Sequence, residues 1–238
     1  MTMSHPEIPN RPRRALVLRH HLEDDAGLIG EGLAKRGFTV VTVLVDAQHR
    51  PPLDCDADVV VILGSNSSVH DLAIRDAWFD HERRFLQQLD AAGTPMLGIC
   101  FGAQALCDLF GGRVERAEHE EIGWFEVTVA PGVALSEGPW FEYHEDRCLL
   151  PDGAEVWAST DRAVQAFAFG PHVGVQFHPE IDAPQLARWF DSMHGSARAY
   201  SPDETEMLAE TERQTDAARG RALALVDQFL SHAASRSS

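Results

Sequence analysis

The stretch Pro95-Met96-Leu97-Gly98-Ile99-Cys100-Phe101-Gly102-Ala103-Gln104-Ala105-Leu106 constrains this chain more than any other. A short apolar run ends at a cysteine, and a helical pattern starts at once. Ala103, Leu106, Cys107 and Phe110 fall at i, i+3, i+4 and i+7. Gly111-Gly112 then supply a helix stop. The pattern predicts a buried strand, a sharp strained turn at Cys100, and a helix, with Gly98 and Gly102 removing the side chains that would clash. A helix N-terminus beside a thiol favours the thiolate, and it leaves the Phe101 N–H free to face an oxyanion. A buried structural cysteine in an α/β core fits the same stretch, since free cysteine is often buried.

The flanking sequence sets the elbow in an alternating chain. Ala15 to Leu18, Phe38 to Val45, and Asp58 to Leu63 read as strands, the last of them buried on both faces. A helix carrying Leu28 and Leu33 stops at Gly37, and a long helix spans roughly Ala73 to Ala92 with Trp78, Phe79, Phe85 and Leu86 inward. Strand–helix alternation with short loops implies an α/β fold: an open, mostly parallel sheet with helices on both faces. After Gly112 the texture changes. Ile122 to Val129, Trp140 to Tyr143, Glu155 to Ala158, Ala163 to Phe169 and His172 to Phe177 read as strands of a smaller antiparallel insertion that rejoins the main sheet. Pro184 to Met193 reads as a helix, His194 to Pro202 as a polar hinge, and Glu204 to Leu230 as a helix with Gly220 inside it.

Charge excludes some functions. The 238 residues carry a formal net charge of −17, which opposes binding to nucleic acid or to an anionic membrane surface. No run approaches the roughly 18 apolar residues of a membrane span, and no signal peptide is read at the N-terminus, so a cytoplasmic protein is expected. The four cysteines, Cys55, Cys100, Cys107 and Cys148, lack metal-ligand spacing and read as free thiols. No metal and no cofactor is expected. Cys107 falls on the apolar helix face and reads as core. His20, His21 and His70 lie near strand ends and read as solvated, as does the charge run Glu23-Asp24-Asp25.

Functional loops of a parallel sheet gather at the carboxyl ends of its strands. Gly64-Ser65, Cys100, the His144 loop and His178-Pro179-Glu180 all fall there. A thiolate nucleophile needs a base, and the base needs a group that fixes its tautomer. His178 can be the base and Glu180 the orienting carboxylate, with Pro179 stiffening the pair.

On Gly98-Ile99-Cys100-Phe101-Gly102-Ala103-Gln104 and Gly174-Val175-Gln176-Phe177-His178-Pro179-Glu180, over about residues 15–190, the chain resembles the class I (triad) glutamine amidotransferases. It is most similar to the glutaminase domain of GMP synthase and its free-standing relatives. Gly64 to Asp71, Glu121-Ile122-Gly123-Trp124 and Tyr143-His144-Glu145-Asp146 add to the likeness. The resemblance implies a flavodoxin-like fold. It also implies a disordered tail at 1–13, the amidotransferase domain at 14–195 and a C-terminal helical extension at 196–238. Cys100, His178 and Glu180 would be catalytic. Phe101 with Ser65 or Gly64 would form the oxyanion hole. Gln104, Glu121, Gly123, Trp124 and, with less support from the residues themselves, His144 would contact substrate.

The implied reaction hydrolyses the glutamine side-chain amide through a γ-glutamyl thioester and releases ammonia for a separate synthetase subunit. A γ-glutamyl peptidase or hydrolase with a larger leaving group, and a non-catalytic regulatory module, remain open, as does oligomerisation. Two departures stand out. Gly64-Ser65-Asn66 replaces the family's Gly-Gly-Pro, which predicts a strained Ser65 and a poorly formed hole. Tyr143-His144-Glu145-Asp146 replaces Trp-His-Gly-Asp, which bears on the partner-facing loop.

Overall fold

The computed structural model describes residues 11–52, 55–193 and 204–236. The first half runs β1 (Arg13–Arg19), α1 (Gly27–Lys35), β2 (Phe38–Leu44), β3 (Val59–Ile62), then α2 (Leu72–Ile74), which passes through a π-helical turn at Arg75–Phe79 into α3 (Asp80–Ala91). β4 (Met96–Ile99) and α4 (Phe101–Leu109) form the elbow. The second half runs β5 (Arg113–Phe125), β6 (Thr128–Val129), β7 (Trp140–Leu149), β8 (Glu155–Ser159), β9 (Val164–Phe169) and β10 (His172–Val175). Two helices close the chain, α5 (Ala183–Met193) and α6 (Glu204–Arg236).

Among the described residues, eight strands form one sheet in the order β2-β1-β3-β4-β10-β9-β8-β6, while β5 and β7 pair separately. Every pair from β2 to β10 is parallel, and β9, β8 and β6 continue the sheet by antiparallel pairing. The sequence-predicted insertion is thus divided: β6, β8, β9 and β10 extend the main sheet, and only the β5–β7 ribbon stands apart.

Period-2 alternation feeds a core on each face. Val17, Val59 and Val61 point to the side covered by α1 and α6, where Leu33, Val226 and Phe229 are fully buried. Leu16, Leu18, Val60 and Ile62 point to the side covered by α3 and α4. Burying one such side chain contributes about 1.5–3 kcal/mol, so apolar side chains on both faces of β1 and β3 fix them inside the sheet. α6 is also held to α1 by the Arg36–Asp227 and Arg219–Glu31 pairs. No helix among the described residues is long and apolar enough to cross a membrane.

The elbow depends on close backbone approach. A Cβ on Gly102 would lie 2.1 Å from the Ile62 carbonyl oxygen of β3, and one on Gly98 would lie 2.4 Å from the Gly102 carbonyl oxygen. Nothing but hydrogen fits at either position, so α4 starts directly against the sheet.

Several boundaries differ from the sequence reading, the end of β7 at Leu149 instead of Tyr143 among them. β1 begins at Arg13, inside the stretch read as a tail, and Arg11 pairs with Asp56 and Asp58; residues 1–10 lie outside the described residues. β5 begins at Arg113 instead of Ile122, because its first half is charged and mostly exposed and carries no apolar alternation. α6 runs on to Arg236, and the hinge read at 194–202 lies outside the described residues.

Gly102→Ala should abolish the soluble folded protein or its cooperative melting. Gly220→Ala, at an exposed helical site with open space, should stabilise by about 0.5–1 kcal/mol. Thermal and urea unfolding check both, and a well-folded Gly102→Ala would contradict the packing described.

Candidate active site

β4 and β10 are parallel neighbours, with Val175 opposite Ile99. The Cys100 N–H donates to the Val175 carbonyl at 2.8 Å, so the chain leaving both strands emerges together on the carboxyl rim. Cys100 caps α4 with φ 52° and ψ −107°, and among the described residues it is the only non-glycine at positive φ. Such strain costs roughly 1–3 kcal/mol and persists where surrounding structure over-determines it. Here the β10 hydrogen bond and the glycines on either side do so.

His178 is anchored through its N–H to the Phe141 carbonyl at 2.7 Å. Its Nδ1 lies 2.7 Å from Glu180 Oε1. A carboxylate accepts, so Nδ1 carries a proton and Nε2 is the ring nitrogen left for the thiol. Burial works to lower the His178 pKa, but the Glu180 charge and then Cys100 outweigh it and hold the imidazole well above its ordinary value. Trp189 on α5 meets the imidazole edge-to-face at 5.0 Å between centroids.

Gly64 lies against both partners. A Cβ there would sit 2.9 Å from His178 Cε1 and 3.7 Å from Cys100 Cβ, so a side chain at 64 would displace the base. Ser65 is not among the residues at positive φ, which removes the strain predicted for it. Phe101 is the first residue of α4, so its N–H has no partner inside the helix. Gly64, Ser65, Cys100 and His178 share the wall of a cavity that opens to solvent. His21, Glu23, Asp24, Tyr143 and Trp189 line the rest of it.

The residues tied by resemblance to substrate contact stand elsewhere. None of Gln104, Glu121, Gly123, Trp124 and His144 lines this cavity. Gln104 is buried and donates to Gln176 Oε1 at 3.3 Å. Gln165 donates to Glu121 at 2.8 Å. Gly123 sits at φ 121° in β5, opposite Glu142. The Trp124 indole N–H donates to Thr211 of α6 at 3.0 Å. His144 is buried, with Nε2 3.3 Å from both Glu121 and Glu142, although neither contact is aligned as a hydrogen bond. Burial opposes its charge, yet the two carboxylates push it up to about 10. Burial pushes Glu142 up to about 7.

Two polar groups read as solvated are buried. His20 is 5% exposed and bridges Gly64 to Glu82. Asp24 is 7% exposed and faces the cavity. One signal was present for the first of these. Glu82 falls within the inward stripe of Trp78, Phe79, Phe85 and Leu86, and a carboxylate at such a position demands a buried partner. Trp189 and Glu142 carried no comparable signal. Among the described residues, no group of His, Cys, Asp and Glu side chains is arranged to hold a metal ion.

Comparison with known proteins places the chain in a family. Residues 26–186 match the family model described as glutamine amidotransferase class-I. GMP synthase (glutamine-hydrolyzing) of Rhizobium rhizogenes is 40% identical over 102 residues, covering 38% of this chain and 20% of the relative. That of Thermus thermophilus is 34% identical over 137 residues, covering 52% and 27%. The chain therefore spans only a fifth to about a quarter of the length of these relatives.

Among solved structures, a glutamine amidotransferase from Thermotoga maritima superimposes with a TM-score of 0.82 at 24% identity, over 92% of this chain and 99% of that one. One from Methylobacillus flagellatus gives 0.79 at 19% identity, over 93% and 96%. These two likenesses establish the fold, and the family match establishes more: the chain is a member of the class I glutamine amidotransferases.

Proposed function

We propose that this protein hydrolyses the side-chain amide of glutamine and delivers the ammonia to a separate acceptor enzyme. The supporting observation is Cys100 and His178 together on the cavity wall, with the imidazole held at 2.7 Å by Glu180 behind it. His178 Nε2 takes the Cys100 proton, and the sulfur attacks the amide carbon. The N–H groups of Phe101 and Ser65 receive the oxyanion. Collapse breaks the C–N bond, His178 returns the proton, and ammonia leaves a γ-glutamyl thioester. His178 then deprotonates a water that attacks the thioester, the C–S bond breaks, and glutamate departs with the thiol restored.

The relatives' name, glutamine-hydrolysing GMP synthase, supports a synthetase as the acceptor of the ammonia. Gln104, Glu121, Gly123, Trp124 and His144 stand outside the cavity wall, so a contact with substrate requires that binding rearrange them.

One observation favours a second reading, hydrolysis of a γ-glutamyl compound with a larger leaving group. Tyr143, Trp189, Glu23 and Asp24 share the cavity wall with the sulfur, and among the described residues no Lys or Arg lines it. A neutral or cationic leaving group suits that wall and an anionic one does not. On this second reading, kcat/KM for a γ-glutamyl amine exceeds that for both glutamine and glutathione. On the first, glutamine leads.

Cys100→Ala should abolish ammonia release from glutamine, His178→Ala should cost roughly 10⁴–10⁶-fold in kcat, and Glu180→Gln a smaller factor. Coupled ammonia assays on folded variants check this, and turnover by Cys100→Ala would contradict it.

Asp24 supplies a test of the buried wall itself. Burial, then the Glu180 charge, raises it from 3.8 to about 6. Between those values the folded state holds more protons than the unfolded chain, so stability is lost as pH rises through the window. Asp24→Asn should therefore stabilise by up to about 3 kcal/mol above about pH 6, and by nothing below about pH 4. Urea unfolding at both ends measures it; equal gains at both would contradict a buried, strained carboxyl.

A further inference from the structure

We propose that His20 and Glu82 are positioning residues for the oxyanion hole: together they hold the Gly64 carbonyl so that the Ser65 N–H faces the Cys100 sulfur. The inference rests on the amide-hydrolysis reading above and adds to it two residues that neither the motifs nor the family match singles out.

The geometry starts from the ring. His20 directly follows β1, and its Nδ1 lies 2.8 Å from the Gly64 carbonyl oxygen. A carbonyl only accepts, so Nδ1 carries a proton. Nε2 lies 3.1 Å from Glu82 Oε2 and 3.4 Å from Oε1. If the Glu82 carboxyl accepts there, Nε2 carries a proton as well and the ring is an imidazolium, which is the state the proposal requires. Burial works against that charge, but Glu82, then the Gly64 carbonyl, outweigh it and raise His20 above its ordinary value. Of the neighbouring titratable groups, Asp24 supports the positive charge, and His21 is itself lowered by burial and then by His20.

Peptide planarity carries the effect to the site. In a trans peptide the carbonyl and the following N–H point in opposite directions. His20 holds the Gly64 oxygen toward the interior, where its ring sits 5.2 Å from Trp78 and 4.9 Å from Phe101 between centroids. The Ser65 N–H is thereby turned the other way, toward the cavity that Gly64, Ser65 and Cys100 line. No hydrogen bond to that N–H is found among the described residues. A charge-assisted bond to the carbonyl also polarises the peptide and strengthens its N–H as a donor. The same ring packs edge-on against Phe101, whose N–H is the other donor of the hole, so one buried imidazolium holds both halves.

The location excludes direct chemistry. Glu82 is fully buried and neither residue lines the cavity, so the pair acts through Gly64. A buried ion pair is also weak evidence for stability, since well-packed apolar residues of similar volume are often as stable or more so. Placing one directly beneath the oxyanion loop fits positioning better than it fits support of the core.

Three variants test the pair: Glu82→Gln, His20→Gln and His20→Asn. Glu82→Gln keeps the shape and removes the charge. An asparagine amide can occupy the place of Nδ1, whereas a glutamine amide reaches toward that of Nε2. Glu82→Gln and His20→Gln should lose about 10–100-fold in kcat for ammonia release, less than the ~10²–10³-fold typical of deleting a hole donor outright. KM should stay within about twofold, and His20→Asn should recover part of the loss. Alkylation of Cys100 by iodoacetamide needs the thiolate but no oxyanion hole, so its rate should not change.

An unchanged kcat, or a fall in kcat matched by falls in alkylation and in melting temperature, overturns the proposal. Ring ¹⁵N NMR of His20 in the wild-type protein reads the pair without any substrate. Both nitrogens should be protonated at neutral pH, and a bare Nδ1 overturns the proposal. A wild-type protein that releases no ammonia from glutamine refutes the functional reading instead, and the NMR result still decides whether His20 donates to Gly64.

Discussion

Parallel pairing of β4 with β10 brings two segments far apart in the chain together at the candidate site. The register sets Val175 opposite Ile99, and the Cys100 N–H closes on the Val175 carbonyl. Everything next to that bond is constrained by it. Cys100 must turn through positive φ to begin α4, Gly98 and Gly102 must lack side chains, and the chain beyond Val175 must pass the sulfur within a few residues. His178 arrives there and is pinned in turn by the Phe141 carbonyl and by Glu180. Slipping this pairing by one residue would exchange every side chain between the two cores, so the packing that stabilises the sheet also fixes the catalytic geometry.

A second theme is the number of charged groups removed from water around the site. His20 with Glu82 lies against the Gly64 carbonyl, His144 is buried with Glu121 and Glu142, and Asp24 sits at the cavity wall. Each would be costly in an apolar core unless paired. The pairing differs in quality. His20 uses both ring nitrogens in good bonds. His144 Nε2 is shared unaligned between two carboxylates, and Glu142 has no hydrogen bond at either oxygen. Such unequal satisfaction concentrates strain at the rim and leaves the rest of the fold conventional.

The elbow and the His-Pro-Glu corner were legible in sequence because each needs rare residues at fixed offsets: small residues on both sides of Cys100, and a carboxylate two positions after the imidazole. The buried strand Asp58 to Leu63 was legible because both of its faces are apolar. The start of β5 was not, since Arg113 to Glu120 pair with β7 in a two-stranded ribbon whose side chains largely face water. The end of β7 was missed for the opposite reason: His144 and Asp146 are polar yet buried, and polarity alone ends a predicted strand. His20 and Asp24 were misjudged because local sequence cannot show what covers a loop. Glu82, inside an apolar helical stripe, was the local clue to His20. Ser65 shows that a departure from a family's glycine need not carry strain, because its backbone stays out of the left-handed region.

Acid-quench trapping during turnover reads the central claim at the level of the bond. The protein is mixed with glutamine, denatured in acid within the first turnovers, digested, and its four cysteine-containing segments are weighed by mass spectrometry. A γ-glutamyl adduct on Cys100, absent from Cys55, Cys107 and Cys148, is the result expected from a sulfur activated by His178 at the end of β4. An adduct on any of the other three, or steady ammonia release with Cys100 unmodified at every quench time, would contradict it.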